Sequence, residues 1–136
     1  MVCEYCGSPT SVINSRHQKR SNQIWRRRRC RGCGALFTTH ESVYLPAAFS
    51  VNTRGQIKPF VPDKLFAEIL LCLQDRSDVY IAARELSATI TRKLLKRAAD
   101  GLISSQDISA QAAVVLKRFD RQAYLRYLAE HPSLHI

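Results

Sequence analysis

Apolar positions along this chain change their spacing near residue 42. Beyond it they recur at intervals that suit packed helices; before it they are sparse and interrupted by Cys, Gly and Arg. Leu65, Phe66, Ile69, Leu70 and Leu73 share one wide helical face, with Pro62 at the first helical position, where its missing N–H costs nothing. Cys72 lies beside this face as a small, buried or partly buried side chain. A second helix is predicted within residues 80–98, where Ala83, Leu86, Ile90 and Leu94 approximate a stripe. Its far face and C-terminal end carry Arg84, Arg92, Lys93, Lys96 and Arg97, either a solvated run that complements the helix dipole or a surface for an acidic ligand. Ser104 with Asp107 three residues later forms a capping box for a third helix, packed through Ile108, Ala112, Val115, Leu116 and Phe119. A final short helix carries Tyr124, Tyr127 and Leu128 and stops near Pro132. Ahead of the helices, residues 43–49 and 56–60 read as extended segments around an Asn52-Thr53-Arg54-Gly55 turn. The second part is therefore α+β, a hairpin followed by about four helices.

The first 42 residues are too few, and too polar, to build a core unaided, so they need a staple. Cys3-Glu4-Tyr5-Cys6-Gly7 and Cys30-Arg31-Gly32-Cys33-Gly34 supply one, as two CxxCG knuckles separated by 23 residues. Each knuckle turns two thiolates inward, and the following glycine permits the tight turn that aims backbone amides at sulfur. Cys3, Cys6, Cys30 and Cys33 thus form a tetrahedral set suited to structural zinc. Iron also takes four sulfurs, and paired disulfides use the same residues, so composition alone leaves both open. His17 and His40 read as surface or packing residues beside a complete four-cysteine set.

Charge sharpens the picture. The chain carries +10 overall, and residues 1–41 hold eight Lys or Arg against two Glu, a net of +6, whereas the remainder holds thirteen against nine, a net of +4. Four thiolates on a dication lower the first figure to about +4, still basic. The stretch Ile24 to Cys33, IWRRRRCRGC, concentrates this charge. As a strand it places Arg26 and Arg28 on the face of Cys30, and Arg27 and Arg29 on the other face with Trp25. One pair then braces the ribbon or the thiolate site while the other reaches outward. Trp25 reads as packing over the ribbon or as a base-stacking platform. Arg16, Lys19 and Arg20 lie in a predicted loop that widens the patch, and Arg31 sits inside the second knuckle. Arginine grips phosphate bidentately and also reads guanine edges, so double-stranded DNA leads the acidic partners, ahead of an acidic protein surface.

In its combined order the chain resembles the bacterial ribonucleotide reductase transcriptional repressors, the NrdR family. The residues that carry the likeness are Cys3 and Cys6, Asn14-Ser15-Arg16, Ile24 to Cys33, and Leu36-Phe37-Thr38-Thr39 with Glu41. The resemblance implies a zinc ribbon over residues 1–42, an ATP-cone-like regulatory or oligomerisation domain over 43–131, and a short tail over 132–136. It also implies DNA contact upstream of ribonucleotide reductase genes through Arg16, Arg26, Arg27, Arg28, Arg29 and Arg31, homo-oligomerisation on paired DNA sites, and control by ATP or dATP. The nucleotide would meet Asn52, Thr53, Arg54, Gly55, Lys58 and Lys64. At that turn the family's Lys-Arg pair is replaced here by neutral side chains, which removes phosphate attraction that Arg54 partly restores. Near the end, Tyr124, Arg126 and Tyr127 match the family's Tyr-x-Arg-aromatic signature.

No grouping of nucleophile, base and orienter is evident and the metal set is coordinatively closed, so the sequence predicts no enzyme. No early apolar run resembles a signal peptide and none of about 18 residues suggests a membrane span, so a cytoplasmic protein is expected. The leading expectation is a zinc-dependent DNA-binding regulator, a repressor under adenine-nucleotide control. The alternatives are an oligomeric assembly or accessory factor whose ribbon binds an acidic protein or nucleic acid without promoter specificity, and a nucleotide-responsive accessory protein acting on an enzyme.

Overall fold

The computed structural model describes residues 1–98 and 100–134, and these fall into two compact units, Met1–Tyr44 and the chain from Leu45 onward. In the first unit, β1 (Thr10–Gln18), β2 (Gln23–Cys30) and β3 (Leu36–Glu41) form an antiparallel sheet in that order. The β1–β2 register shifts between Val12 and Asn14, leaving Ile13 as the extra residue of a bulge. Among its described side chains only Cys3 and Cys30 are buried, each 2% exposed. Hydrophobic burial therefore contributes little here, and the metal cluster must hold the strands' ends together. Arg16 lies within β1 rather than in a loop; only Lys19 and Arg20 occupy the β1–β2 turn.

The second unit begins with α1, a single helical turn at Leu45–Ala48. The extended segment expected over 43–49 is thus displaced. Pro46 has no N–H to give a strand ladder, whereas the Phe49 N–H closes a turn on the Leu45 carbonyl at 2.9 Å. Strand pairing starts at β4 (Ser50–Thr53), which meets β5 (Gln56–Pro59) in an antiparallel hairpin. A third strand, β6 (Leu102–Ser104), pairs in parallel with β4, giving the order β5-β4-β6.

Helices α2 (Pro62–Cys72), α3 (Val79–Leu95), α4 (Ser105–Phe119) and α5 (Arg121–Glu130) cover the core. Phe60, Ile69, Leu73, Ile90, Leu116 and Tyr127 are each under 2% exposed at its centre, and burying side chains of this size contributes about 1.5–3 kcal/mol apiece. The expected stripe of α3, Ala83, Leu86, Ile90 and Leu94, is buried throughout. Phe119 departs from expectation. It is 43% exposed at the last position of α4, where the Arg76 guanidinium covers its ring at 4.9 Å from the centroid. Residues 132–134 form one 3-10 turn; the rest of the predicted tail, 135–136, lies outside the described residues.

Side chains cap the N-termini of α4 and α5. Ser104 caps α4, its Oγ accepting from the Asp107 N–H at 2.9 Å and donating to the Asp107 carboxylate at 2.6 Å. Asp120 caps α5 by accepting from the N–H groups of Gln122 and Ala123 at 2.9 and 3.0 Å. Its other oxygen meets Arg76 at 3.4 Å, and Arg76 also holds Asp78 at 2.8 Å. Arg126 of the Tyr-x-Arg signature donates to the Cys72 carbonyl at 3.2 Å and pairs with Asp75, tying α5 to the end of α2.

The Ala123 and Gln122 amides, with Arg76, hold the Asp120 carboxyl below its ordinary value. A depressed folded pKa gives stability that is complete above the unfolded value of about 3.9 and is lost as pH falls through the folded value. Asp120→Ala is expected to cost about 1 kcal/mol near neutrality. It should also flatten the loss of stability below about pH 4, read from urea melts of the helical circular dichroism.

Candidate metal centre and basic ribbon

The two knuckles bring their cysteines together by backbone hydrogen bonding. Gly7 N–H reaches the Cys3 carbonyl and Cys30 N–H the Ala35 carbonyl, both at 2.9 Å. Gly7 and Gly34 take φ of 71° and 74°, a left-handed conformation that side chains resist. The Gly32 and Cys33 amides donate to the Cys30 sulfur at 3.3 and 3.4 Å. Gly32 has a separate role that spacing alone does not reveal. A Cβ there would lie 2.4 Å from Ser8 Oγ and 2.8 Å from Ser8 Cβ, so the knuckles interlock only without that carbon.

All four sulfurs lie within 4.8 Å of one another, with Cys6 and Cys30 at 3.4 Å and Cys3 and Cys33 at 3.8 Å. Tetrahedral Zn–S bonds of about 2.3 Å require sulfurs about 3.8 Å apart, so the donor set fits structural Zn2+. None of the four is in a disulfide, and neither His17 nor His40 joins the cluster. The thiols divide their protons unequally. Hydroxyl and amide donation from Ser8 lowers Cys6 to about 6, and Cys33 N–H lowers Cys30. At Cys33 the Ala35 amide favours the thiolate, but the neighbouring Cys6 and Cys30 sulfurs outweigh it and push the thiol up to about 11. A dication held by Cys3, Cys6, Cys30 and Cys33 would offset that repulsion and favour the thiolate as ligand.

Register assigns the arginines to faces, because residues paired across neighbouring strands point the same way. Arg26 lies opposite Thr39, and Arg28 opposite Phe37. Arg26 pairs with Glu41 at 3.0 Å, while Arg28 donates to Thr39 at 3.1 Å and Thr10 at 3.4 Å. This is the face of Cys30. The other face carries Arg16, which lies opposite Trp25 with its guanidinium 5.9 Å from the ring centroid. It also carries Arg27, donating to Thr38 at 3.2 Å, and exposed Arg29. Thr38 and Thr39 of the FTT segment are thus the hydroxyls that steady the arginines, one on each face. No strand residue on the Trp25 face is a carboxylate. Arg31 is exposed in the second knuckle.

In the second unit, Asn52, Thr53, Arg54 and Gly55 border a pocket of about 480 Å3 completed by Ser104, Ser105, Gln106, Ser109 and Ser133. Among the described residues Arg54 is its one cation. Asn52 Oδ1 accepts from the Gly55 N–H at 2.9 Å, so this side chain holds the turn. Lys58 and Lys64 do not line the pocket and stand exposed on β5 and α2.

A family profile described as "Transcriptional repressor NrdR-like, N-terminal domain" matches residues 1–41. Whole-chain relatives extend the likeness. Transcriptional repressor NrdR of Thermus thermophilus is 35% identical over 128 residues, covering 93% of this chain and 81% of the relative. The protein of the same name from Methylorubrum extorquens is 36% identical over 134 residues, covering 98% and 72%. That of Maricaulis maris is 32% identical over 136 residues, covering 99% and 84%. The chain belongs to the NrdR family.

Because the relatives span both units, the family assignment covers the helical unit as well as the ribbon. The NrdR chain is accordingly a zinc ribbon followed by an α+β domain of ATP-cone-like architecture. Its family consists of zinc-binding transcriptional regulators rather than enzymes. Among the described residues, no helix is long and apolar enough to cross a membrane.

Since Trp25 is the only tryptophan and lies in the ribbon, the two units can be followed separately. Chelation of zinc is expected to release one metal per chain, shift Trp25 fluorescence towards that of solvated indole and leave most of the helical circular dichroism in place. Loss of both signals in parallel would show that the helical unit also depends on the metal.

Proposed function

We propose that this NrdR protein is a transcriptional repressor that binds double-stranded DNA through the Trp25 face of its ribbon. The observation that carries this reading is the division of the arginine run. Arg26 and Arg28 are engaged by Glu41, Thr39 and Thr10, whereas Arg16, Arg27 and Arg29 share a face with no carboxylate. Arg27 spends one donor on Thr38 and keeps the rest of its five for a ligand. Phosphate contacts from these side chains supply affinity and register; base edges reached by Arg16, Arg27 or Arg29 supply sequence preference. Arg31, on the exposed knuckle, extends the phosphate-contacting edge.

One small ribbon offers few base contacts, so the protein acts as a homo-oligomer on paired DNA sites, linking two weak contacts into one stronger one. Leu71, Tyr80, Ile81 and Leu125 of the helical unit, each more than half exposed, are apolar surface available for self-association. Adenine nucleotide, ATP or dATP, is assigned to the pocket at the Asn52–Gly55 turn as a weakened regulatory ligand. Arg54 supplies the positive charge there, and the serine hydroxyls offer neutral hydrogen bonds in place of further cations.

For the ribbon, DNA enriched from random sequence by the zinc-loaded protein would be compared with scrambled competitors at matched salt. Arg27→Ala with Arg29→Ala should weaken binding at least tenfold and reduce the logarithmic salt slope by about 2, as loss of two phosphate contacts requires. Unchanged affinity and slope with zinc still bound would place the DNA surface elsewhere. Equal binding to all duplexes would favour an accessory factor over a promoter-specific repressor. For the pocket, calorimetry with ATP and dATP is expected to give a weak, saturable component, beyond that of tripolyphosphate alone, that Arg54→Gln removes. Heats that Arg54→Gln leaves unchanged, or no heat at all, would eliminate nucleotide control at the turn while leaving the DNA reading intact.

A further inference from the structure

The cations at the end of α3 have a second role available to them. Lys93, Lys96 and Arg97 line one side of a groove of about 440 Å3, and Arg118 of α4 closes it from the opposing helix. The groove shares no residue with the pocket at the Asn52–Gly55 turn. Its single carboxylate among the described residues, Asp107, already accepts the Ser104 hydroxyl at 2.6 Å. Among the described residues none of the four cations is in an ion pair. Lys93 is half-buried, whereas Lys96, Arg97 and Arg118 are exposed.

Helix dipoles account for part of this pattern only. Lys93 lies in the last turn of α3 and Arg118 in the last turn of α4, each favourable at its own helix end. A dipole does not require cations from two helices to border one concavity. Between them lie Gln111, 6% exposed, and Val114, 46% exposed, so an amide and an apolar wall accompany the charge. A volume of this size suits a small molecule, and a duplex laid across it would place only a phosphate or two inside.

We propose that the α3/α4 groove is a separate binding site for a small, phosphate-rich anion, with Lys93, Arg97 and Arg118 as its principal phosphate contacts. Bound oligophosphate supplies the counter-charge these cations lack, and the Gln111 and Val114 wall accepts any uncharged part of the ligand. The site stands whether or not the ribbon binds DNA, since it uses only the helical unit.

The probe is inorganic tripolyphosphate, titrated calorimetrically into the zinc-loaded full chain at near-physiological salt, with sulfate at equal ionic strength as comparator. The expected result is saturable one-to-one binding that sulfate does not match. Lys93→Gln with Arg97→Gln should weaken it at least tenfold, while Arg54→Gln leaves it within twofold. The groove double variant must keep the wild-type helical melt; if it does not, Arg118→Gln alone serves, with at least a threefold loss expected. Wild-type protein that gives no saturable heat, or sulfate that competes equally, would overturn the proposal. So would a loss that follows Arg54→Gln instead, or a groove variant that binds as wild type. A groove variant that loses duplex affinity while tripolyphosphate fails to bind would assign these cations to DNA and equally overturn it.

Discussion

Four cysteine sulfurs within 4.8 Å of one another form a donor set for a single cation, and everything in the first unit depends on that constraint. Its three strands bury almost nothing; Cys3 and Cys30 are both the buried residues and half of the ligand set. Binding the metal therefore replaces a hydrophobic core, and folding is coupled to loading. The positions that matter most are consequently those that let the knuckles approach. Gly32 belongs with the cysteines in this respect, because Ser8 of the opposite knuckle occupies the space its Cβ would need.

A ribbon fixed by metal rather than by packing can leave both faces of its sheet polar. That freedom is what allows four consecutive arginines. Alternation separates them into pairs, and the threonines of β3 then steady one arginine on each face. Glu41 neutralises only Arg26, and as an exposed pair it contributes about 1 kcal/mol or less. Charge on the Trp25 face stays uncompensated within the sheet, and the Arg16 guanidinium over the indole orders it without cancelling it. The same zinc that closes the knuckle thus holds an array of cations whose repulsion would otherwise open so small a fold.

Local signals are readable wherever one residue type does one job. The CxxCG knuckles, the Ser104 cap, Pro62 at the start of α2 and the α3 stripe all rest on short spacings and all stand in the structure. Long-range pairing is not readable. The three residues of β6 become a strand because β4, some fifty positions earlier, offers an edge, and nothing in Leu102-Ile103-Ser104 announces that. Arg16 reads as a loop residue for a different reason. Seven of the nine β1 residues are exposed, on both faces of the sheet, so the strand lacks the apolar alternation by which strands are recognised. Phe119 reads as interior because its spacing fits, yet a helix's last residue can turn its ring outward when a guanidinium covers it. At the candidate site, spacing identifies the ligands and the faces of Arg26 to Arg29, while the threonine contacts and the Gly32–Ser8 interlock need three dimensions.

The hairpin turn shows how fold and ligand chemistry can separate. Arg54 and Gly55 both take positive φ, 52° and 86°, the pattern of a mirror-image turn that matches strand twist. Arginine is a poor choice for the first of these positions, at a cost on the order of 1 kcal/mol relative to asparagine or aspartate. Asn52 offsets it, since its amide oxygen accepts from the Gly55 N–H and so holds the turn from two positions before the loop begins. A lysine at 52 could not accept that hydrogen bond. Asn52 and Thr53, where the family resemblance implies a basic pair, therefore hold the hairpin's shape without adding charge that would draw phosphate to it. The helical unit remains cationic, but Lys93, Lys96, Arg97 and Arg118 gather in the α3/α4 groove, which borders none of the residues of the turn. The hairpin pocket has Arg54 as its one cation among the described residues, so recognition of a nucleotide at the turn falls to hydroxyl and amide hydrogen bonds more than to charge.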